Sequence, residues 1–152
     1  MIAGTGSGCG KTMVTLAVLR AMQRRNIPLA AFKCGPDYID PMFHKAVLGI
    51  PSRNLDLFFI SEREVRGQIV RSIPQNGLGV IEGVMGFYDG VSGTTDTASA
   101  AHLARETGTP AILVVRPKGQ SLSLAAMLSG FRNFAENTLC GVILNGISDT
   151  MY

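Results

Sequence analysis

The sequence predicts an α/β fold of three layers, in which a mostly parallel sheet carries helices on both faces. Short apolar runs alternate along the chain with longer helical patterns. The runs lack the alternation of polar and apolar residues that marks a half-exposed strand, which indicates strands covered on both faces, as in parallel sheets with crossover helices. With 152 residues, 46% of them hydrophobic, the chain is long enough for one domain, 1–152, with a substantial core.

The predicted elements follow one another in regular order. The predicted strands are Met1–Ala3, Leu29–Phe32, Leu78–Ile81, Ala111–Val115 and Leu139–Leu144. The helical patterns between and after them are Lys11–Arg25, Ser61–Ser72, Ala98–Thr107 and Ser121–Ala135. The stretch 35–57 contains three prolines and has no clear assignment, and the stretch 83–93 contains four glycines. Both stretches follow strands, and ligands of open α/β sheets bind beyond the carboxyl ends of strands.

Composition excludes several classes of protein. The net charge is only +3 and the basic residues are dispersed, which argues against a nucleic-acid partner. The longest apolar run falls short of the roughly 20 residues that cross a bilayer, and the start of the chain lacks a secretory leader pattern, so we expect no membrane association. The three cysteines have no metal-ligand spacing, which favours a reducing, cytoplasmic setting over a disulfide framework.

A glycine-rich segment, Gly4–Thr12, lies between the first predicted strand and the first helix. Backbone N–H groups and a helix N-terminus in this context bind phosphate, Lys11 would reach the β- and γ-phosphates, and the Thr12 hydroxyl would contact Mg²⁺. The strict pattern has glycine where this chain has Thr5, so the loop is a variant. The segment predicts a P-loop NTPase fold. The residues expected to contact the nucleotide are Thr5, Gly6, Ser7, Gly8, Cys9, Gly10, Lys11 and Thr12.

Two acids lie in or near the glycine-rich stretch that follows the third predicted strand. Glu82 ends that apolar strand, where an acid can face the Mg²⁺ held by Thr12, and we expect metal or catalytic duty. The alternative for Glu82 is a capping acid at the strand exit. Asp89 is a second candidate, although Asp89-Gly90 is equally a plain turn.

Asp37 and Asp40 follow the second predicted strand and lie three residues apart around an aromatic residue. Two carboxylates near a bound nucleotide can hold a metal ion or orient a nucleophile. The alternative is that both are helix N-caps before Pro41, which suits a first helical turn. His44 alone would be an ordinary polar helix residue.

Five segments of the chain closely resemble cobyrinic acid a,c-diamide synthases, and together they extend over nearly its whole length. They are Phe32–Pro41 with His44, Pro51–Asp56, Val80–Gly90, Asp96–Ser99 and Gly141–Asn145. The variant phosphate loop also resembles that of dethiobiotin synthetases. Proteins of the first family carry an ATP-binding domain followed by a glutaminase domain with a cysteine nucleophile. They amidate the a- and c-carboxylates of a corrin precursor, ATP phosphorylating the carboxylate and ammonia from glutamine displacing phosphate.

The resemblance implies roles for individual residues. Gly10, Lys11 and Thr12 would bind phosphates and Mg²⁺, with Glu82 as a metal or catalytic acid. Asp37, Asp40 and Asp89 would support the acyl-phosphate chemistry, Asp40 also as a metal ligand, and Asn145 would lie near the adenine. The candidates for binding the macrocycle are Lys33, Tyr38 and Arg53, the two basic residues having the alternative of being merely exposed. No glutaminase domain is present in 152 residues, so we expect a fragment of a longer protein, and a homodimer stays open.

Other functions fit parts of the pattern. A switch ATPase of the partition or septum-positioning type shares the sheet, but such proteins carry a signature lysine early in the phosphate loop, and positions 5–9 here have none. A dethiobiotin synthetase should lack the segment from Lys33 to His44. Within the amidoligase hypothesis, nickel sirohydrochlorin or hydrogenobyrinic acid are alternative substrates.

Overall fold

The computed structural model describes residues 1–148 and contains one sheet of six parallel strands. The strands are β1 (Ile2–Gly4), β2 (Leu29–Cys34), β3 (Ser52–Leu55), β4 (Leu78–Glu82), β5 (Ala111–Val115) and β6 (Leu139–Leu144). Their order across the sheet is β3-β2-β4-β1-β5-β6, and every neighbouring pair is parallel. The strand that leads into the phosphate loop is therefore central, and β3 and β6 form the edges.

Five helices connect the strands. They are α1 (Lys11–Gln23), α2 (Ile39–Leu48), α3 (Glu62–Ser72), α4 (Ala100–Thr107) and α5 (Leu122–Asn133). The sequence predicts four of these helices to within two residues at either end and five of the six strands. None of the helices within residues 1–148 is long and apolar enough to span a membrane.

The stretch without a sequence assignment contains α2 and β3, which is the main correction to the predicted fold. Both elements lack the usual pattern of burial. The exposed side chains of α2 include Ile39, Met42 and Val47, while its one buried residue is His44. In β3 only Leu55 is buried. Because hydrophobic periodicity reports which side faces the core, elements of this kind leave little signal in a sequence.

Two apolar cores lie on opposite faces of the sheet and confirm the three-layer architecture. One core contains Leu19 of α1 together with alternate strand residues such as Ala31 and Val80. The other contains Val65 of α3, four residues of α4, and the intervening strand residues, among them Phe32 and Ile81. Helices α1 and α2 therefore cover one face, and α3, α4 and α5 cover the other.

Helix ends follow from local side-chain chemistry. Helix α3 begins at Ser61 with a capping box, in which the Ser61 hydroxyl accepts from the Glu64 amide and the Glu64 carboxylate accepts from the Ser61 amide. Helix α4 begins at Ser99, whose hydroxyl accepts from the amide of His102. Helix α1 begins after Gly10 with no side-chain cap, so its first backbone amides are available to a ligand.

The glycines of the stretch 83–93 provide a matched test of packing. A Cβ atom added to Gly90 would lie 2.5 Å from the carbonyl oxygens of Thr95 and Thr97, whereas one added to Gly93 would meet nothing within 4 Å. We expect Gly90→Ala to lower the free energy of unfolding by about 1–3 kcal/mol through overpacking. We expect Gly93→Ala to change it by less than about 0.5 kcal/mol. Urea denaturation followed by circular dichroism measures both, and equal midpoints would contradict the described loop.

Candidate functional site

The phosphate loop runs from the end of β1 to the start of α1. Gly8 and Gly10 have φ of 74° and 98°, in the left-handed region that favours glycine. A side chain at Gly4 would collide with Cys9 and Lys11, so the loop folds closely over itself. Glycine-permitted curvature followed by an uncapped helix N-terminus is the arrangement that binds phosphate groups. The loop is thus placed where the sequence predicts it, with Thr5, Gly6, Ser7 and Gly8 in its first half.

Lys11 joins the phosphate loop to the segment that follows β4. Its ammonium donates to the carbonyl oxygens of Gly6 at 2.9 Å and Met85 at 2.6 Å. Burial lowers the pKa of Lys11 from its usual range. Met85 has a φ of 41°, a left-handed conformation that costs a non-glycine residue about 1–3 kcal/mol. Backbone strain of this kind is typical of functional loops. Here the strained conformation directs the Met85 carbonyl oxygen toward Lys11.

Asn145, directly after β6, forms a hydrogen bond to the phosphate loop. Its side-chain amide donates to the carbonyl oxygen of Cys9 at 2.9 Å, and it packs so closely on Gly10 that a Cβ atom there would overlap it. Its backbone amide donates to Val115 at 2.7 Å. Cys9 is buried beside Lys11, in keeping with a small space-filling residue. That Asn145 also lies near an adenine stays a prediction.

Glu82 is the centre of a buried polar cluster at the carboxyl end of β4. Its Oε1 atom accepts from the Thr12 hydroxyl at 2.6 Å and from the Lys33 ammonium at 3.2 Å. Its Oε2 atom lies 3.2 Å from Nε2 of His44. The side chain is fully buried. The alternative of a capping acid at the strand exit is therefore wrong, because the carboxylate contacts side chains of α1, β2 and α2.

Charges in this cluster stabilise one another. Burial by itself raises the pKa of Glu82, but the His44 hydrogen bond, the Lys33 charge and the Thr12 hydrogen bond outweigh it, and the net pKa lies below the usual value. Burial likewise opposes the charge of Lys33, yet its contacts with Asp40 and Glu82 raise its net pKa. Both pKa shifts therefore favour the charged forms of Glu82 and Lys33.

Lys33 contacts acidic side chains at the end of β4 and around the start of α2. It lies directly beside Glu82 across the β2–β4 pair, and its ammonium is 2.6 Å from Asp40, 3.7 Å from Asp37 and 3.0 Å from the Gly83 carbonyl oxygen. Only 4% of Lys33 is exposed. The alternative that Lys33 is merely an exposed basic residue is wrong.

Asp37 and Asp40 have different local roles. The Asp37 carboxylate accepts the backbone amides of Ile39 and Asp40 from the position before the N-cap residue Tyr38. Asp37 therefore holds the first turn of α2 without being its N-cap residue. Asp40 lies in the first turn of α2, and its carboxylate contacts Lys33, so the capping alternative is wrong for Asp40. Asp40 and Glu82 both lie within 3.2 Å of the same ammonium.

The other predicted residues lie outside this contact network. Asp89 is exposed, and its carboxylate accepts the Gly86 amide at 2.7 Å while its own amide donates to the Gly86 carbonyl oxygen. Asp89 therefore closes a turn over residues 86–89, and the turn is not centred on Asp89-Gly90. Tyr38 is 81% exposed at the start of α2, and Arg53 is exposed on the edge strand β3. Whether Asp89, Tyr38 or Arg53 contacts a substrate stays a prediction.

Two members of the cluster, His44 and Ser52, were assigned no role from the sequence. His44 is fully buried, and its Nδ1 atom lies 2.9 Å from the Ser52 hydroxyl. A signal for His44 exists in the spacing, because positions 37, 40 and 44 share one face of a helix. Ser52 has no such signal, since only the pairing of β3 with β2 brings it to α2.

The oxygen atoms at this place suit a magnesium ion. Thr12, Glu82 and Asp40 supply a hydroxyl and two carboxylates, which are the hard ligands that Mg²⁺ prefers, and Thr12 and Glu82 are already in contact at the end of the phosphate loop. The donor set therefore fits the ion.

A glycine loop, its lysine and a strand-end acid bonded to the loop threonine define a nucleotide-binding α/β domain of the P-loop class. The chain belongs to the CobQ/CobB/MinD/ParA nucleotide binding domain family, whose model matches residues 1–151. The chain is also similar to three proteins named cobyrinate a,c-diamide synthase. They come from Clostridium acetobutylicum (47% identical over 154 residues), Salmonella typhimurium (45% over 154) and Clostridium tetani (41% over 152).

Each of these matches covers 100% of this chain and 34% of the relative. The chain therefore spans about a third of the length of the curated relatives it matches. The similarity establishes the family and confirms the resemblance drawn from the motifs.

The lowered pKa of Glu82 predicts how stability depends on pH. A carboxyl group with a lower pKa in the folded protein stabilises the fold above its ordinary value, here 4.5, and that contribution is lost as the pH falls through the folded-state value. We expect the free energy of unfolding to fall as the pH drops below about 4.5 and through the lower folded-state pKa of Glu82, and to fall less steeply in Glu82→Gln.

Chemical denaturation at a series of pH values measures this slope. Glu62→Gln removes one exposed carboxylate from α3 and serves as the matched control. Parallel curves for wild type and Glu82→Gln would contradict an ionised, stabilised Glu82.

Proposed function

We propose that this chain is the ATP-binding amidoligase domain of a cobyrinate a,c-diamide synthase. ATP would phosphorylate the a- and c-carboxylates of cobyrinic acid, and ammonia would displace the phosphate. The observation that carries the proposal is the buried cluster of Thr12, Lys33, Asp40 and Glu82 beside the phosphate loop. The names of the relatives support the same reading.

Phosphorylating a carboxylate brings two anionic groups together, so catalysis depends on placing positive charge and aligning the reactants. Lys11 and the amides of the phosphate loop would bind the β- and γ-phosphates of ATP. Mg²⁺, held by Thr12, Glu82 and Asp40, would neutralise phosphate charge. Lys33 keeps its proton because the surrounding carboxylates raise its pKa, and it would hold a second positive charge close to the reacting groups.

The macrocycle would bind over the carboxyl ends of β2 and β3. Tyr38 is exposed at the start of α2, beyond the end of β2, and Arg53 is exposed within the edge strand β3. One is aromatic and the other basic, which suits a planar ligand that carries carboxylates. Lys33 would contact the acceptor carboxylate only if Asp37 or Asp40 released it. Asp37 would act by holding the start of α2, and Asp89 by closing the turn after β4.

Ammonia would come from a glutaminase domain in the part of the protein beyond these residues. The coverage of about a third of each relative is compatible with such a domain. We place the reaction in the cytoplasm, in cobalamin biosynthesis. None of the three cysteines of this chain is assigned as the glutaminase nucleophile.

The family description also includes MinD and ParA, so a switch ATPase is the competing function. The observation against it is the loop itself, which has no lysine at positions 5–9. The acid-rich start of α2 also has an evident use in carboxylate chemistry and none in a switch.

The two functions differ in what stimulates ATP turnover. We expect ADP release from Mg-ATP, with ammonium chloride as nitrogen donor, to increase when cobyrinic acid is added, because the acceptor carboxylate completes the reaction. A coupled assay of ADP with and without the macrocycle measures this. If the protein binds ATP but its ADP release does not depend on the macrocycle, the result would contradict the amidoligase function and favour the switch ATPase.

Lys11→Ala tests the nucleotide site separately from the reaction. Hydrogen bonds to charged groups contribute about 1.5–3 kcal/mol, so we expect ATP to bind about 10- to 100-fold more weakly. Isothermal titration calorimetry measures the affinity. Lys45→Ala, which removes an exposed lysine from α2, is the matched control and should bind ATP as wild type does. Wild-type affinity in Lys11→Ala would refute the assignment of the loop.

A further inference from the structure

Helix α2 buries its histidine and exposes its apolar residues. Among its ten residues only His44 is buried, while Ile39, Met42, Phe43 and Val47 are 49–64% exposed. A surface helix normally turns its apolar stripe to the core. Burying an imidazole costs free energy unless its nitrogen atoms find partners, so an apolar residue would be the simpler choice at position 44 if packing alone mattered.

Both nitrogen atoms of His44 do have partners. Nε2 lies 3.2 Å from Oε2 of Glu82, and Nδ1 lies 2.9 Å from the Ser52 hydroxyl. A carboxylate only accepts hydrogen bonds, so Nε2 donates in this pair. Ser52, at the start of β3, holds the opposite side of the ring and limits its rotation.

The two oxygen atoms of the Glu82 carboxylate contact different groups. Oε1 faces Thr12 and Lys33 at the phosphate loop, and Oε2 faces His44. Without a donor at Oε2 the plane of the carboxylate is free to turn out of this orientation. With the donor in place, one oxygen stays directed at the loop threonine.

We propose that His44, supported by Ser52, is a positioning residue that orients the Glu82 carboxylate toward Thr12 and thereby sets the affinity for magnesium-bound ATP. The inference rests on the magnesium-nucleotide site of the proposed function. Outer residues that hydrogen-bond a metal-binding carboxylate typically change metal affinity or activity about 10- to 100-fold when replaced.

His44 also fixes the acids at the start of α2. Asp40 lies one helical turn before His44 and contacts Lys33, which in turn contacts Glu82. Helix α2 is thus attached to the end of β4 at two polar points, through His44 and through Asp40. Removing the first point loosens the second, so metal-bound nucleotide is affected more than free nucleotide.

The test compares binding with and without magnesium. The dissociation constant of the β,γ-imido analogue of ATP is measured by calorimetry, in excess magnesium chloride and in EDTA. His44→Leu removes the donor, and we expect affinity about 10- to 100-fold weaker in magnesium and nearly unchanged in EDTA. His44→Gln retains a donor and should recover most of the loss. Met42→Leu, an exposed position of the same helix, is the matched control.

Several outcomes would overturn the inference. Equal weakening by His44→Leu in magnesium and in EDTA would mean a purely structural role, and no weakening would mean no role. If His44→Leu does not fold, Ser52→Ala is the variant to measure, and we expect it to bind the analogue about 2- to 10-fold more weakly in magnesium only. If the ratio of its affinities in magnesium and in EDTA equals that of the wild type, the inference is overturned. A wild-type protein whose affinity ignores magnesium would instead remove the proposed metal site, and the inference with it.

Discussion

The site depends on one ion pair buried between neighbouring strands. Lys33 of β2 and Glu82 of β4 lie side by side across the sheet, where neither could stay charged alone. Each needs further partners to offset the loss of water, and the chain supplies them from Asp40, Thr12 and His44. The pair therefore draws α1 and α2 to the carboxyl ends of the strands. The need of these two buried charges for hydrogen-bond partners therefore sets the positions of the phosphate loop and of the acids around it.

Much of this arrangement could be predicted from the sequence, for a physical reason. Five of the six strands and four of the five helices are predictable because their apolar residues face a core. Glu82 was predicted because an acid at the end of an apolar strand needs a partner. The phosphate loop was predicted because Gly10-Lys11-Thr12 between a strand and a helix has few other uses.

The remainder depends on contacts between different elements of the fold. Helix α2 shows exposed apolar residues, so its pattern predicts no buried face. His44 and Ser52 are eight residues apart and meet only because β3 pairs with β2. The burial of Lys33 follows from three acids that lie 4, 7 and 49 residues away in the sequence. Periodicity cannot report such contacts, because each becomes visible only once the order of strands is known.

The two edges of the sheet differ in their tendency to recruit further strands. β3 is short and carries an exposed arginine, Arg53, which discourages another chain from pairing there. β6 has six residues, no partner strand on its outer side within residues 1–148, and exposed Val142 and Leu144. Unpaired backbone groups beside apolar side chains are a template for intermolecular β-pairing. Within residues 1–148, β6 is therefore the sheet edge that suits pairing with a further strand, and β3 is the edge that resists it.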